Sequence, residues 1–456
     1  MMRRLLMFLL ILATATACAD VRSGPLDEKG AARSSYSTRP ALPGWPTYHK
    51  NAHRSGHVAK APKGRLHRAW SKHLHGAVYG EPLLVKGVLV VATETNDVYG
   101  LRPRTGRVRW HVKLGTPQPL SGLPCGNIDP LGITGTPAYS AGTGSVYVAA
   151  ETIGGHHTLW ALNALTGVRR WHRSLDTQPR RNPKAEQQRA ALLVTHGRVL
   201  TAFGGLFGDC DNYVGYVTSV ATNGRGPTHS YAVPTARKAG MWATPGPVLG
   251  GNGNVYVASG NGAEVNGRWD RSDSVTELTP VMLHRRSIFS PRSWRQDNAN
   301  DLDLGSMSPA VVRSVHRLVI AGKRGVVYLL RPRLGGIGSA VRHLAGCAAY
   351  GGAAVVRRTV LLPCRKENAI RALRVGRSSL HWRWTARGVY SSPVVAGTKV
   401  YAADANSGAL VVLRLRDGKV VRRLAAGPMP HFPSQIVCGN WVFVPTLQGV
   451  VAFRGR

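Results

Sequence analysis

The chain has 456 residues, 43% of them apolar and 18% charged, with 53 glycines and 28 prolines. That composition excludes a disordered chain and a protein of long helices, and it suits many short strands joined by tight turns. Lys and Arg number 60 against 22 Asp and Glu, a net charge of +38, which draws the chain towards anionic partners. Because basic residues such as Arg102, Arg104, Arg107 and Arg109 stand singly rather than in runs with aromatics, an anionic cell envelope fits better than nucleic acid.

Residues 1–18 read as a secretory signal: Arg3 and Arg4, then the apolar stretch Leu5 to Leu12, then small residues from Ala13 to Ala17. Cys18 follows at once and resembles the lipidated cysteine of a bacterial lipobox, with Ala15 where such motifs usually carry Leu. The reading is an exported protein, lipid-anchored on the outer side of the cytoplasmic membrane. Residues 19–44, rich in Ser, Gly, Pro and charge, read as a flexible tether, and no later stretch is apolar for long enough to span a bilayer. Export permits disulfides. The expected pairs are Cys125 with Cys210, both in glycine-rich loops, and Cys347 with Cys364 within one repeat, which leaves Cys438 free.

From residue 45 to 456 a unit of about forty residues returns. Val88 to Trp110 and Val146 to Trp171 each read strand, turn, strand, Thr-Gly turn, and a last strand carrying Trp, with Thr105-Gly106 and Thr166-Gly167 at the reversals. Further units are expected at 185–233, 240–291, 303–345, 349–386 and 388–427, beside those at 76–115 and 133–176. Segment 431–456 holds only three strands, and Leu66 to Leu74, with Trp70, supplies the missing outer strand from the other end of the chain. The expectation is an all-β, eight-bladed β-propeller of four-stranded antiparallel blades, one domain over 45–456, closed by an N-terminal strand so that no sheet edge is left open.

The unit Val-Tyr-Val-x-Ala … Ala-Leu-x-Ala-x-Thr-Gly-x-x-x-Trp resembles the pyrroloquinoline quinone (PQQ) repeat, shared by quinoprotein alcohol dehydrogenases and by a propeller lipoprotein that assists outer-membrane barrel assembly. Four stretches also resemble the dehydrogenases' cofactor site. Gly240-Met241-Trp242 stands ahead of Gly260-Asn261, which implies Trp242 against the quinone plane and Asn261 as a calcium ligand; Trp242 as blade core and Asn261 in a plain turn is the equal alternative. Asn300-Asp301-Leu302-Asp303 resembles the segment carrying the catalytic Asp, with Asn300 where the family has Trp, and implies Asp301 as proton acceptor; a solvated loop is its alternative. Gly322-Lys323-Arg324-Gly325 implies Lys323 on the quinone oxygens. Asp209 and Asp211 lie where a calcium-binding Glu is expected, out of register with it.

Against catalysis stand the absence of an adjacent Cys-Cys pair, for which the chain offers only Leu123-Pro124-Cys125-Gly126, and of any Cys-x-x-Cys-His haem motif. His156-His157 and the His73/His75 alternation read as structural rather than metal-binding. Two functions remain open: a monomeric scaffold that binds an envelope protein, a glycan or a small ligand, and a PQQ- and calcium-dependent dehydrogenase of alcohols or sugars that passes electrons to a separate acceptor.

Overall fold

A computed structural model of the chain describes residues 42–178 and 180–456; the leader, Cys18 and nearly all of the expected tether lie outside them. The described residues form an eight-bladed β-propeller. Blades 1 to 7 span Leu83–Lys113, Ala138–Ser174, Glu186–Ala232, Val248–Ser290, Ala310–Ala345, Ala354–Arg387 and Val394–Ala425. Blade 8 takes three strands from Ile436–Gly455 and its outer strand from Leu66–His73, which pairs antiparallel with Gly449–Gly455. The expected ring closure is therefore present. The four-stranded pattern is extended in three blades: Gly336–Ile337 adds a parallel edge to blade 4 and His57–Val58 to blade 7, and the first strand of blade 3 is split into Glu186–Gln187 and Leu193–Thr195.

Burial grades across each sheet. First strands such as Leu83–Val85 and Val394–Ala396 are buried at every residue, whereas outer strands such as Arg169–Ser174 and Val420–Ala425 alternate exposed and half-buried. The apolar core is accordingly a set of layers between neighbouring blades: one packs Val90 and Trp110 of blade 1 on Val148 and Leu162 of blade 2, the next Tyr147 and Leu159 on Phe203 and Tyr216 of blade 3. The repeat's glycine and tryptophan have a joint explanation here. Gly106, Gly167 and Gly418 turn with φ of +70°, +74° and +72°, in the left-handed region that a side chain resists. A Cβ on Gly106 would lie 2.8 Å from Trp70 of blade 8, and one on Gly167 2.5 Å from Trp110 of blade 1. Trp70 and Trp110 thus each lie on the bare turn of the following blade, and the Trp70 indole N–H also donates to Pro103 O at 3.1 Å.

The central channel is crossed by the chain's own segment 45–58. Trp45 exchanges backbone hydrogen bonds with Leu84 of blade 1, Tyr139 N–H of blade 2 donates to Pro46 O, Leu249 N–H of blade 4 to Ala52 O, Val355 N–H of blade 6 to Ser55 O, and Val395 N–H of blade 7 to Gly56 O. This floor was not expected: residue 45 was placed at the start of the propeller with no part assigned to the twenty residues after it.

Candidate functional site

In every blade the first two strands run antiparallel, so the loop entering the first and the loop leaving the second lie at the same end of the channel. Trp242 and Asp301 enter first strands; Asn261 and Lys323 leave second strands. All four therefore belong to one mouth, and the structure brings them into contact. Lys323 Nζ lies 2.5 Å from Asp301 Oδ1, 2.8 Å from Asp303 Oδ2 and 5.4 Å from the centre of the Trp242 ring. Asn261 Nδ2 donates to Asp301 Oδ1 at 2.7 Å.

Asp303, not singled out in the sequence, is the buried anchor of this cluster at 1% exposure, whereas the Asp301 side chain is 65% exposed. Glycines make room for it. A Cβ on Gly260 would fall 3.3 Å from Asp303 Cγ, and one on Gly305 3.0 Å from Asp303 Oδ1 and 2.6 Å from Gly260 N. Burial raises the Asp303 pKa, and the Lys323 ammonium pulls against that rise. Burial alone would lower the pKa of Lys323, but Asp303 and Asp301 outweigh it and hold the amine above the usual lysine value, so it stays cationic. Asp301 has φ of +53° and Asp209 +51°, left-handed conformations that non-glycine residues adopt at a cost of about 1–3 kcal/mol and that concentrate at functional sites.

Asp209 and Asp211 part company. Asp209 accepts a hydrogen bond from the Tyr213 hydroxyl and lies near enough to Asp303 to raise its pKa; burial and then Asp209 raise that of Tyr213. Asp211 is exposed and bonds to Asn182, away from Lys323. The Cys125–Cys210 disulfide ties the residue after Asp209 to the loop between blades 1 and 2, and Cys347–Cys364 ties the loop entering blade 6 to the end of that blade's second strand. Both pairings match expectation, and Cys438 is free and buried.

Asn261 Oδ1 and Asp303 Oδ1 are among the buried oxygens at the mouth that lack a hydrogen-bond partner. An amide and a carboxylate oxygen are hard donors of the kind a calcium-like cation takes, so these residues fit such an ion. No group of three His, Cys, Asp or Glu side chains able to hold a metal occurs among the described residues. Across from Trp242 the mouth is aromatic and basic. Tyr350 and Phe432 stack at 6.0 Å with their planes 6° apart, their centres 6.2 and 6.3 Å from Trp242. Arg365 lies 5.2 Å from the Tyr350 ring centre and 5.4 Å from that of Phe432, and Arg189 lies 4.8 Å from Phe432. Burial brings the Arg189 pKa down to about 10, which still leaves it charged at neutral pH. A planar anion suits rings and cations disposed in this way. Arg189, Tyr350, Arg365 and Phe432 were not singled out in the sequence, because they lie in irregular loops of three different blades.

Residues 54–275 match the family model described as PQQ_2, outer membrane protein assembly factor BamB. Among solved structures the chain is similar to a quinohemoprotein alcohol dehydrogenase from Comamonas testosteroni, at 17% identity and a TM-score of 0.68 over 90% of this chain and 80% of that one. It is also similar to a europium-containing methanol dehydrogenase, at 14% identity and a TM-score of 0.69 over 90% and 98%, and to BamB from Moraxella catarrhalis, at 15% and 0.56 over 86% and 100%. At these identities the likeness is one of fold. No curated protein matches the chain.

Proposed function

We propose that this PQQ-repeat β-propeller is an exported protein, held on the outer side of the cytoplasmic membrane by a lipid on Cys18, that works as a binding module through the open mouth of its channel. The ligand class is a planar, polyanionic quinone of the PQQ type taken together with a hard cation. The observation that carries this reading is the contacting cluster of Trp242, Asn261, Asp301, Asp303 and Lys323, assembled from the loops of two consecutive blades. Trp242 offers a ring face, Lys323 a fixed ammonium, Asn261 and Asp303 the two unpartnered oxygens for the cation, and Arg189 and Arg365 charge for the ligand's carboxylates.

The dehydrogenase reading is the same site with redox chemistry added. A bound quinone would supply the hydride acceptor. Asp301 Oδ1 already accepts from Asn261 and Lys323, which orients the exposed carboxylate and leaves Oδ2 to take a proton from a substrate hydroxyl. Electrons would leave through a separate partner. A protein-binding scaffold is the second reading, favoured by the match of residues 54–275 to an assembly-factor model and by the lack of an adjacent cysteine pair over the ring face.

Titration of PQQ with calcium into the full chain, followed by Trp fluorescence quenching and calorimetry, tests the proposal. Saturable binding weakened at least tenfold by N261A or K323M is expected, and alcohol oxidation with an artificial acceptor would then be assayed. Absence of binding at high micromolar PQQ would reject the quinone reading and leave the scaffold.

A further inference from the structure

A second cavity of about 740 Å³ lies away from the channel, where the end of blade 3, the loop after the second strand of blade 4, and the connection from blade 4 to blade 5 meet. It is lined by Trp269 and Trp294, by Arg268, Arg271 and Arg295, and by Pro234, Asp270 and Ile337, and it shares none of these with the mouth. Ile337 belongs to the extra edge strand outside blade 4, so the cavity opens at the rim of the ring.

The polar groups here are spoken for in an uneven way. Asp270 is saturated: Oδ2 accepts from the Thr235 hydroxyl at 2.5 Å and from Glu264 N–H at 3.3 Å, and Oδ1 from the Ser272 hydroxyl at 2.6 Å and Ser272 N–H at 3.1 Å. The Trp269 indole N–H is used on Ser272 O at 2.9 Å, which fixes the side chain. Trp294 is 4% exposed, and the Arg295 guanidinium lies 4.9 Å from its ring centre, held by a hydrogen bond to Gly267 O. The guanidiniums of Arg268 and Arg271 enter no ion pair among the described residues, and both side chains are exposed. Arg271 is held at φ of +69°, a conformation that costs energy in a non-glycine residue. The cavity thus combines fixed indole surface with three cations and no free acid or base, an arrangement for retention rather than chemistry.

Flat apolar indole surface suits the C–H face of a pyranose ring, and guanidinium pairs with carboxylate or phosphate through planar, charge-assisted hydrogen bonds. From this we infer that the rim cavity binds an acidic saccharide, a sugar unit bearing carboxylate or phosphate of the kind that makes an envelope glycan anionic. The site does not depend on the quinone reading of the mouth.

Calorimetric titration of the full chain with trigalacturonic acid, maltotriose and inorganic phosphate tests it. Saturable binding of trigalacturonic acid is expected, with maltotriose and phosphate each at least about tenfold weaker. W269A should weaken the acidic trisaccharide about tenfold, R268Q about threefold with a shallower salt dependence, and K323M at the mouth should leave it unchanged. Because Trp269 also braces its loop, the exposed Arg268 keeps the test valid if W269A does not fold. No saturable binding, equal binding of maltotriose or of phosphate, or indifference to R268Q would overturn the inference.

Discussion

The crossing segment and the mouth loops treat charge differently. At the floor, Glu81 is fully enclosed yet receives the Trp45 indole N–H at 2.6 Å, His49 N–H at 2.9 Å and the Ser434 hydroxyl, while the Arg54 guanidinium donates to Thr47, Tyr48 O and Leu192 O. His49 is neutral, its pKa brought down to about 3 by burial. At the mouth, Lys323 is shared between two carboxylates, Arg189 and Arg365 are drawn to ring faces, and Asn261 and Asp303 each keep an oxygen without a donor. Unpartnered buried oxygens cost stability. Unpartnered buried groups occur in both regions, His49 Nε2 and Arg54 Nε in the crossing segment as well as the two oxygens of the mouth, but those of the mouth stand beside the exposed carboxylate of Asp301, within reach of something that arrives from outside.

The sharpest break of this contrast is at the floor. E81A removes the acceptor of three donors at once, and unfolding by denaturant should show a loss on the order of 4 kcal/mol; a loss below about 1 kcal/mol would mean that the network does not hold the crossing segment. Next in size is a pH effect on the mouth side. Burial pushes Glu94 up from 4.5 to about 8, opposed by the Gly132 N–H and Thr134 hydroxyl that donate to it. The folded state therefore holds a proton that the unfolded chain has released, so the stability from this group is full below pH 4.5 and is lost as pH rises to about 8. E94Q should flatten that decline by on the order of 3 kcal/mol between pH 5 and 8. An unchanged profile would show that Glu94 is ionised and paired.

K323M leaves Asp303 enclosed without its cation and should cost about 2 kcal/mol at pH 7 by thermal or chemical denaturation, less than a fully buried pair because Lys323 is 15% exposed. The cost should shrink as the pH falls, because burial raises the Asp303 pKa and its protonation removes the charge that Lys323 balances. Smallest is D301N: an exposed carboxylate contributes at most about 0.5 kcal/mol to stability, so its melting curve should overlay the parent's while PQQ binding or turnover falls. A destabilisation above about 1 kcal/mol would make Asp301 a structural residue and weaken the functional reading of the mouth.

How far the sequence reached can be read from particular residues. Trp70, Trp110 and the glycine turns at 106 and 167 lie in short, local patterns, and the repetition of such patterns dictates strands, register and ring closure, because each blade can bury its faces only against another copy of itself. The disulfide partners Cys125 and Cys210 were legible for a similar reason, being confined to loops of adjacent blades. Asp301 and Lys323 were legible as a resemblance but not as a pair, and Asp303 passed unnoticed beside Asp301, since two aspartates one residue apart look alike until one turns inward between Gly260 and Gly305 and the other outward. Nor did any periodicity mark residues 45–58 as a floor or Arg189, Arg365 and Phe432 as part of the mouth. Sequence by itself settled the repeating unit and its count, because those depend on contacts between neighbours in the chain. Which charges meet, which oxygens go without a donor and which end of the channel is closed were decided by tertiary structure alone, because the loops concerned come from different blades and come together only when the ring closes.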